Sequence, residues 1–136
     1  MSKIQNYSED ANESGIQIRR ELFGAARIDK QLQAKVDPFK EEFMQLLNHY
    51  CFTEIWMRPG LPRQSRSLIT MSMLIALGKP QELRLHISAA LRNGVTRDEI
   101  KEVFLQATVY CGVPAGVEAF RCASEVFAEI DAEVTT

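Results

Sequence analysis

Residues 65–91 read SRSLITMSMLIALGKPQELRLHISAAL, and this stretch decides the fold. From Leu68 to Leu77 nearly every position is apolar. A helix apolar all round has no face to give to water, so burial on all sides is expected. Gly78-Lys79-Pro80 then stops one helix and starts another. Glycine accepts the left-handed conformation that ends helices, and proline at a first turn loses no hydrogen bond. The second helix carries the stripe Leu83, Ile87, Ala90 and Leu91. On its shoulder stand Glu82 and His86, four residues apart and so neighbours on the helix surface. The hairpin is expected to form both the core and the floor of any chemistry.

Helical patterning continues on both sides. Asn93-Gly94 ends the second helix, and Thr96-Arg97-Asp98-Glu99 is a capping box that opens the next. That helix runs to about Cys111 with Ile100, Val103, Phe104, Ala107, Thr108 and Cys111 on one face, while Leu105 and Val109 point elsewhere. After Gly112-Val113-Pro114, a last helix from Ala115 to about Ile130 presents Ala119, Ala123, Val126 and Ile130. Its small residues Ala115, Gly116, Ala119 and Ala123 permit close helix approach. Upstream, Glu54 to Pro62 (EIWMRPGLP) reads as a structured loop. Before it, Asp37-Pro38 resembles an N-cap with proline at N1, opening a helix through Phe39, Phe43, Leu46, Leu47 and Tyr50 to about Thr53. Ala25 to Val36 is ambiguous. A weakly amphipathic helix from about Asn12 carries Ile16, Arg19, Arg20 and Phe23 and stops at Gly24. Met1 to Asn12 is a polar arm expected to fray. No segment alternates with the period of a strand. The expectation is an all-α bundle of about six helices, one domain spanning residues 1–136.

The composition, 46% hydrophobic and 25% charged, is that of a globular protein, and 136 residues can enclose a core. A net charge of −2 offers nothing to nucleic acid or to an anionic membrane. Asn93 to Gln106 has the outline of a helix-turn-helix, but the would-be recognition helix carries Asp98, Glu99 and Glu102. The longest apolar run is too short to span a membrane, and the polar N-terminus lacks a secretory core, so the cytoplasm is expected. The cysteines Cys51, Cys111 and Cys122 form neither a disulfide framework nor a Cys-x-x-Cys motif, and read as small buried thiols. More apolar faces exist than so short a chain can cover, which predicts a homo-oligomer.

Glu82 and His86 are the first candidates for chemistry. A carboxylate beside an imidazole raises its pKa and fixes its tautomer, giving an acid, a base or an oriented donor. The competing reading is an ordinary surface pair worth about a few tenths of a kcal/mol. Two ligands are too few for a metal, and His49, in a surface-like stretch, has no acidic cluster to join. Arg58, Arg63 and Arg66 bracket the Pro-Gly loop, and the guanidinium fork suits a carboxylate; a solvated loop is the alternative. Trp56 is either a pocket wall or a plug at the core edge. Glu102, Gln106 and Tyr110 follow helical spacing as a polar stripe, and spacing alone makes them an exposed face.

Four segments carry a resemblance. RPGLPRQSRSLITMSMLIALG, ELRLHISAALRNGVTRDEIKEVFLQ and YCGVPAGVEAFRCASEVFAE, with the opening GIQIRRELFG, resemble the γ-carboxymuconolactone decarboxylase family from about Gly15 to Glu129. The resemblance implies an all-helical fold shared with the alkylhydroperoxidase superfamily, and a hexamer. It implies that 4-carboxymuconolactone, a small lactone dicarboxylate, loses CO2 to give β-ketoadipate enol-lactone in protocatechuate degradation, with no cofactor. Glu82 and His86 match the family pattern in position. Peroxidase relatives carry a Cys-x-x-Cys ahead of the matching histidine; here Pro80 to His86 holds no thiol, which argues against peroxide chemistry.

Such a reaction needs a donor for the oxyanion that grows on the lactone, a proton for carbon, and a grip on the carboxylate that stays. His86 is expected to serve the oxyanion or the protonation, with Glu82 orienting it. Arg58 or Arg66 is expected to grip the retained carboxylate, and Trp56, Tyr110 and Phe120 to line the wall. Two alternatives stand beside this. A thiol-dependent peroxide reductase would need Cys111 and Cys122 in reach of each other. A non-enzymatic helical oligomer would show no pocket of convergent polar groups.

Overall fold

The computed structural model describes residues 8–135, all helix, turn or connection without a strand. The expected arm lies partly outside them. Its described part does not fray: Ser8 caps the first helix, its hydroxyl accepting from the Ala11 N–H at 3.1 Å, and the helix begins at Glu9. The chain divides into two compact units, one ending at Leu61 and the other beginning at Pro62.

The first unit holds α1 (Glu9–Phe23), α2 (Ala25–Gln33) and α3 (Glu41–Leu47), which continues without a break as a π-helix (Asn48–Trp56). The ambiguous stretch after Gly24 is helical because buried Ile28 anchors it and Asp29 pairs with Arg20 at 2.8 Å. Asp37-Pro38 does not cap α3. Asp37 Oδ1 accepts from the Phe39 N–H at 3.0 Å in a local turn, and the helix starts at Glu41. At the other end the π-helix carries the chain through Glu54 to Trp56, so the loop starts at Met57. α1 packs on the π-helix through polar contacts that periodicity did not reveal. Arg19 is buried, donates to Asn48 Oδ1 at 3.2 Å and Gln31 Oε1 at 3.0 Å, and lies 6.0 Å from the centre of the Phe52 ring. Asn48 donates on to Asn12 at 2.9 Å. His49, expected near the surface, has its Nδ1 buried and its Nε2 3.7 Å from Glu54 Oε1.

The second unit packs α4 (Arg63–Leu77), α5 (Pro80–Arg92), α6 (Arg97–Cys111) and α7 (Val113–Val134) around Met71, Ile75, Leu83, Ile87, Phe104 and Val126. Local signals act as written. Gly78 ends α4 at φ 64°, and the Lys79 N–H reaches back to the Leu74 carbonyl at 3.0 Å, the longer bond of a Schellman turn. Thr96 and Glu99 form both bonds of the capping box. The buried Ser67 hydroxyl accepts from Asn93 Nδ2 at 2.9 Å, tying the start of α4 to the end of α5. Gly116 on α7 faces Thr108 on α6 so closely that a Cβ would lie 2.1 Å from Oγ1.

One expectation fails within the chain. α4 is not covered on all sides. It buries Ser67, Met71 and Ile75, while Ile69, Met73 and Leu77 are 41%, 59% and 68% exposed. Its partners α5, α6 and α7 leave that flank open, and Leu105 and Val109 on α6 are exposed as well. The thiols also differ from expectation: Cys122 is buried, Cys51 is half-buried and Cys111 is exposed, all free. Among the described residues no helix is long and apolar enough to cross a membrane.

Candidate active site

α5 places the central pair. Its apolar stripe, Leu83, Ile87 and Ala90, faces the core and draws His86 partly in with it. Nδ1 of His86 is buried. Burial disfavours the imidazolium, and it lowers the His86 pKa from 6.5 to about 4. The side chain is therefore a neutral imidazole at neutral pH, with a ring N–H to donate and no net charge. Glu82, one turn earlier, is exposed. Burial drives the shift downward, whereas a neighbouring carboxylate would raise the imidazole pKa. The pair expected from spacing is thus a half-buried base beside a solvated acid, and the shift runs opposite to that of a carboxylate–imidazole couple.

On α4, Arg66 is half-buried with its Nε shielded from solvent, one residue before Ser67. Phe120 on α7 packs edge-on against Phe104, ring centres 5.7 Å apart. Tyr110, near the end of α6, is 84% exposed. It lines a groove of about 370 Å³ between α4 and α6 together with Leu68, Ile69, Ser72, Val103, Gln106, Ala107 and Cys111. His86 and Phe120 are not among the lining residues, so this groove does not gather the expected site. Among the described residues no cation lines it. Gln106 and Tyr110, one turn apart in the sequence, were the only signal of this groove. In the first unit, Trp56 is buried at the end of the π-helix and Arg58 is exposed in the turn after it. Among the described residues no cluster of three His, Cys, Asp or Glu side chains could hold a metal ion.

Comparison with known proteins defines the class. The model of the carboxymuconolactone decarboxylase family matches residues 41–125, and the chain belongs to that family. The chain is similar to the 4-carboxymuconolactone decarboxylase of Acinetobacter baylyi, 38% identical over 122 residues, 90% of each chain. It is also similar to the nitrosuccinic acid decarboxylase of Metarhizium robertsii, 37% identical over 107 residues, 79% of this chain and 74% of that one. An uncharacterized 15.0 kDa protein of Paracoccus denitrificans is 36% identical over 85 residues, 60% of this chain and 63% of that one.

Proposed function

We propose that the protein is a carboxy-lyase that decarboxylates 4-carboxymuconolactone to β-ketoadipate enol-lactone. The observation that carries the proposal is His86, a half-buried neutral imidazole with its Nδ1 shielded from solvent, within the family match. In the substrate the departing carboxylate sits on a ring carbon joined through a C=C double bond to the lactone carbonyl. As the C–C bond breaks, its electron pair passes through that double bond onto the carbonyl oxygen, CO2 leaves, and a proton added to carbon completes the product. The substrate is its own electron sink.

A depressed His86 pKa favours one of the two roles expected of it. An imidazolium acid would be scarce at neutral pH, whereas a neutral imidazole N–H is a competent donor to an oxyanion growing in a dry site. His86 is assigned that role. Glu82 is assigned to orient it once substrate is bound, since catalytic hydrogen bonds are often long or absent before then. Arg66 and Arg58 are the candidates for the retained carboxylate, and Trp56, Tyr110 and Phe120 for the wall. Replacing the responsible arginine with methionine should raise KM about tenfold or more with a smaller change in kcat, because a charge-assisted bond is worth about 1.5–3 kcal/mol. An unchanged KM removes that arginine from the site.

We read both units as one family domain, since the match runs across Leu61. We read the assembly as a homo-oligomer, a hexamer by resemblance, on the support of the open apolar flank of α4. The deciding experiment is decarboxylation of 4-carboxymuconolactone followed in the ultraviolet, with nitrosuccinate run in parallel. Turnover of the lactone supports the proposal. Turnover of nitrosuccinate alone, or of neither compound, refutes it.

A further inference from the structure

α4 sends Ser67, Met71 and Ile75 into the core, spaced four apart on one face. The first of them is polar and fully buried. A hydroxyl taken out of water needs a partner, and Ser67 has Asn93, whose Nδ2 donates to its Oγ at 2.9 Å. An apolar pair of the same shape would hold the two helices about as firmly. What the polar pair adds is direction. A hydrogen bond weakens steeply once it is bent, so this one fixes how α4 is set against α5.

The bond lies at the end of α4 where direction matters. Pro62 stands at the N-cap and gives the first turn no side-chain bond. That turn lies against the end of α5 and the residue beyond it. Gln64 Nε2 comes so close to Gly94, at φ 89°, that a Cβ there would be 3.3 Å away. Arg66 is in the same turn, one residue before Ser67. On α5, His86 precedes Asn93 by seven residues, two turns to within roughly 20°. The two therefore share one side of the helix, roughly 10 Å apart along its axis. One bond joins the turn that carries Arg66 to the side of α5 that carries His86.

We propose that Asn93 is a positioning residue: through its bond to Ser67 it sets the first turn of α4 on the end of α5, and so sets Arg66 against His86. This rests on the reading of Arg66 as the grip on the retained carboxylate. α5 keeps its own place through Leu83, Ile87 and Ala90. Loss of the bond therefore frees the start of α4 and not His86, and the effect falls on substrate capture.

The test uses the full chain, with steady-state kinetics and thermal unfolding on each variant. N93A and S67A should each raise KM about fivefold to tenfold with kcat within about twofold, the size expected for one lost hydrogen bond. S67A/N93A should be no worse than the worse single variant to within about twofold, because both remove the same bond. S67A/N93L replaces the pair by apolar groups; Tm should return to within about 2 °C of wild type while KM stays raised. In an R66M background, N93A should change KM by less than about twofold. Recovery of KM together with Tm in S67A/N93L would make the bond merely structural and overturn the proposal. So would an N93A effect on KM that is as large with R66M as without it. If R66M raises KM and N93A does not, the proposal fails and the reading of Arg66 stands. If R66M leaves KM unchanged, the reading of Arg66 fails and the proposal falls with it.

Discussion

Replacing His86 with alanine is expected to lower kcat for decarboxylation by about a hundredfold or more, the usual loss when one oxyanion donor is removed. The fold should survive. The apolar grip of α5 comes from Leu83, Ile87 and Ala90, and none of them is touched. The substitution even removes a group whose burial is unfavourable when charged. KM should change less than kcat, because the bond to the oxyanion strengthens only as CO2 departs. Circular dichroism and thermal unfolding check the fold, and steady-state kinetics checks the rate. Near-normal turnover would remove His86 from the reaction.

The same burial fixes how the enzyme responds to acid. A donor that must be neutral is spoiled by protonation, and in the fold His86 takes its proton only near pH 4. The acidic limb of kcat due to this residue should therefore fall near pH 4, not near 6.5. Stability follows the same sign. Between pH 6.5 and about 4 the unfolded chain protonates His86 while the folded chain does not, so the unfolded state binds more protons. The contribution of this group is full above pH 6.5, falls as pH drops through that window, and levels off below about 4. Denaturant midpoints at pH 7 and pH 5 should differ more in wild type than in His86→Ala. An equal difference would mean that the imidazole is open to water.

The second unit was legible where its signals are local. Gly78, Pro80, Thr96 with Glu99, and Gly112 each act through bonds within a few residues, so the chain announces them. Burial of α4 was misjudged because periodicity counts apolar positions, not neighbouring helices; Met73 and Leu77 are apolar whether or not something covers them. In the first unit the π-helix was hidden for a different reason. Asn48 and Thr53, five residues apart, both bond to α1, and His49 meets Glu54; that relation has no meaning until the winding is known. Arg19 followed helical spacing with Ile16, Arg20 and Phe23 in a weakly amphipathic helix, and nothing in that spacing announced its bonds to Asn48 and Gln31 or its place beside Phe52. For the site, spacing placed Glu82 and His86 one turn apart. It could not weigh burial against charge, and burial governs the imidazole.

Gly15→Ala should produce the largest loss of stability. A Cβ at Gly15 would lie 2.1 Å from the carbonyl oxygen of Asn48, 2.6 Å from its carbon and 2.9 Å from its Cα. All three are backbone atoms of the π-helix, so no side chain can swing aside, and α1 must move away as a body. That motion strains the bonds from Arg19 to Asn48, from Asn48 to Asn12 and from Thr53 to Ala11 together. Opposing it is the better helix propensity of alanine, about 1 kcal/mol. Overpacking costs about 1–3 kcal/mol or more, and a buried guanidinium deprived of an acceptor about as much again. The net expectation is a loss of about 3 kcal/mol and a fall in Tm of roughly 10 °C or more. Trp56 lies in the same unit and its emission follows the transition directly. Gly60→Ala is the control: nothing lies within 4 Å of its Cβ, and stability should change by less than about 0.5 kcal/mol. If both variants unfold with wild type, α1 does not approach the π-helix as described, and the buried bonding of Arg19 that depends on that approach fails with it.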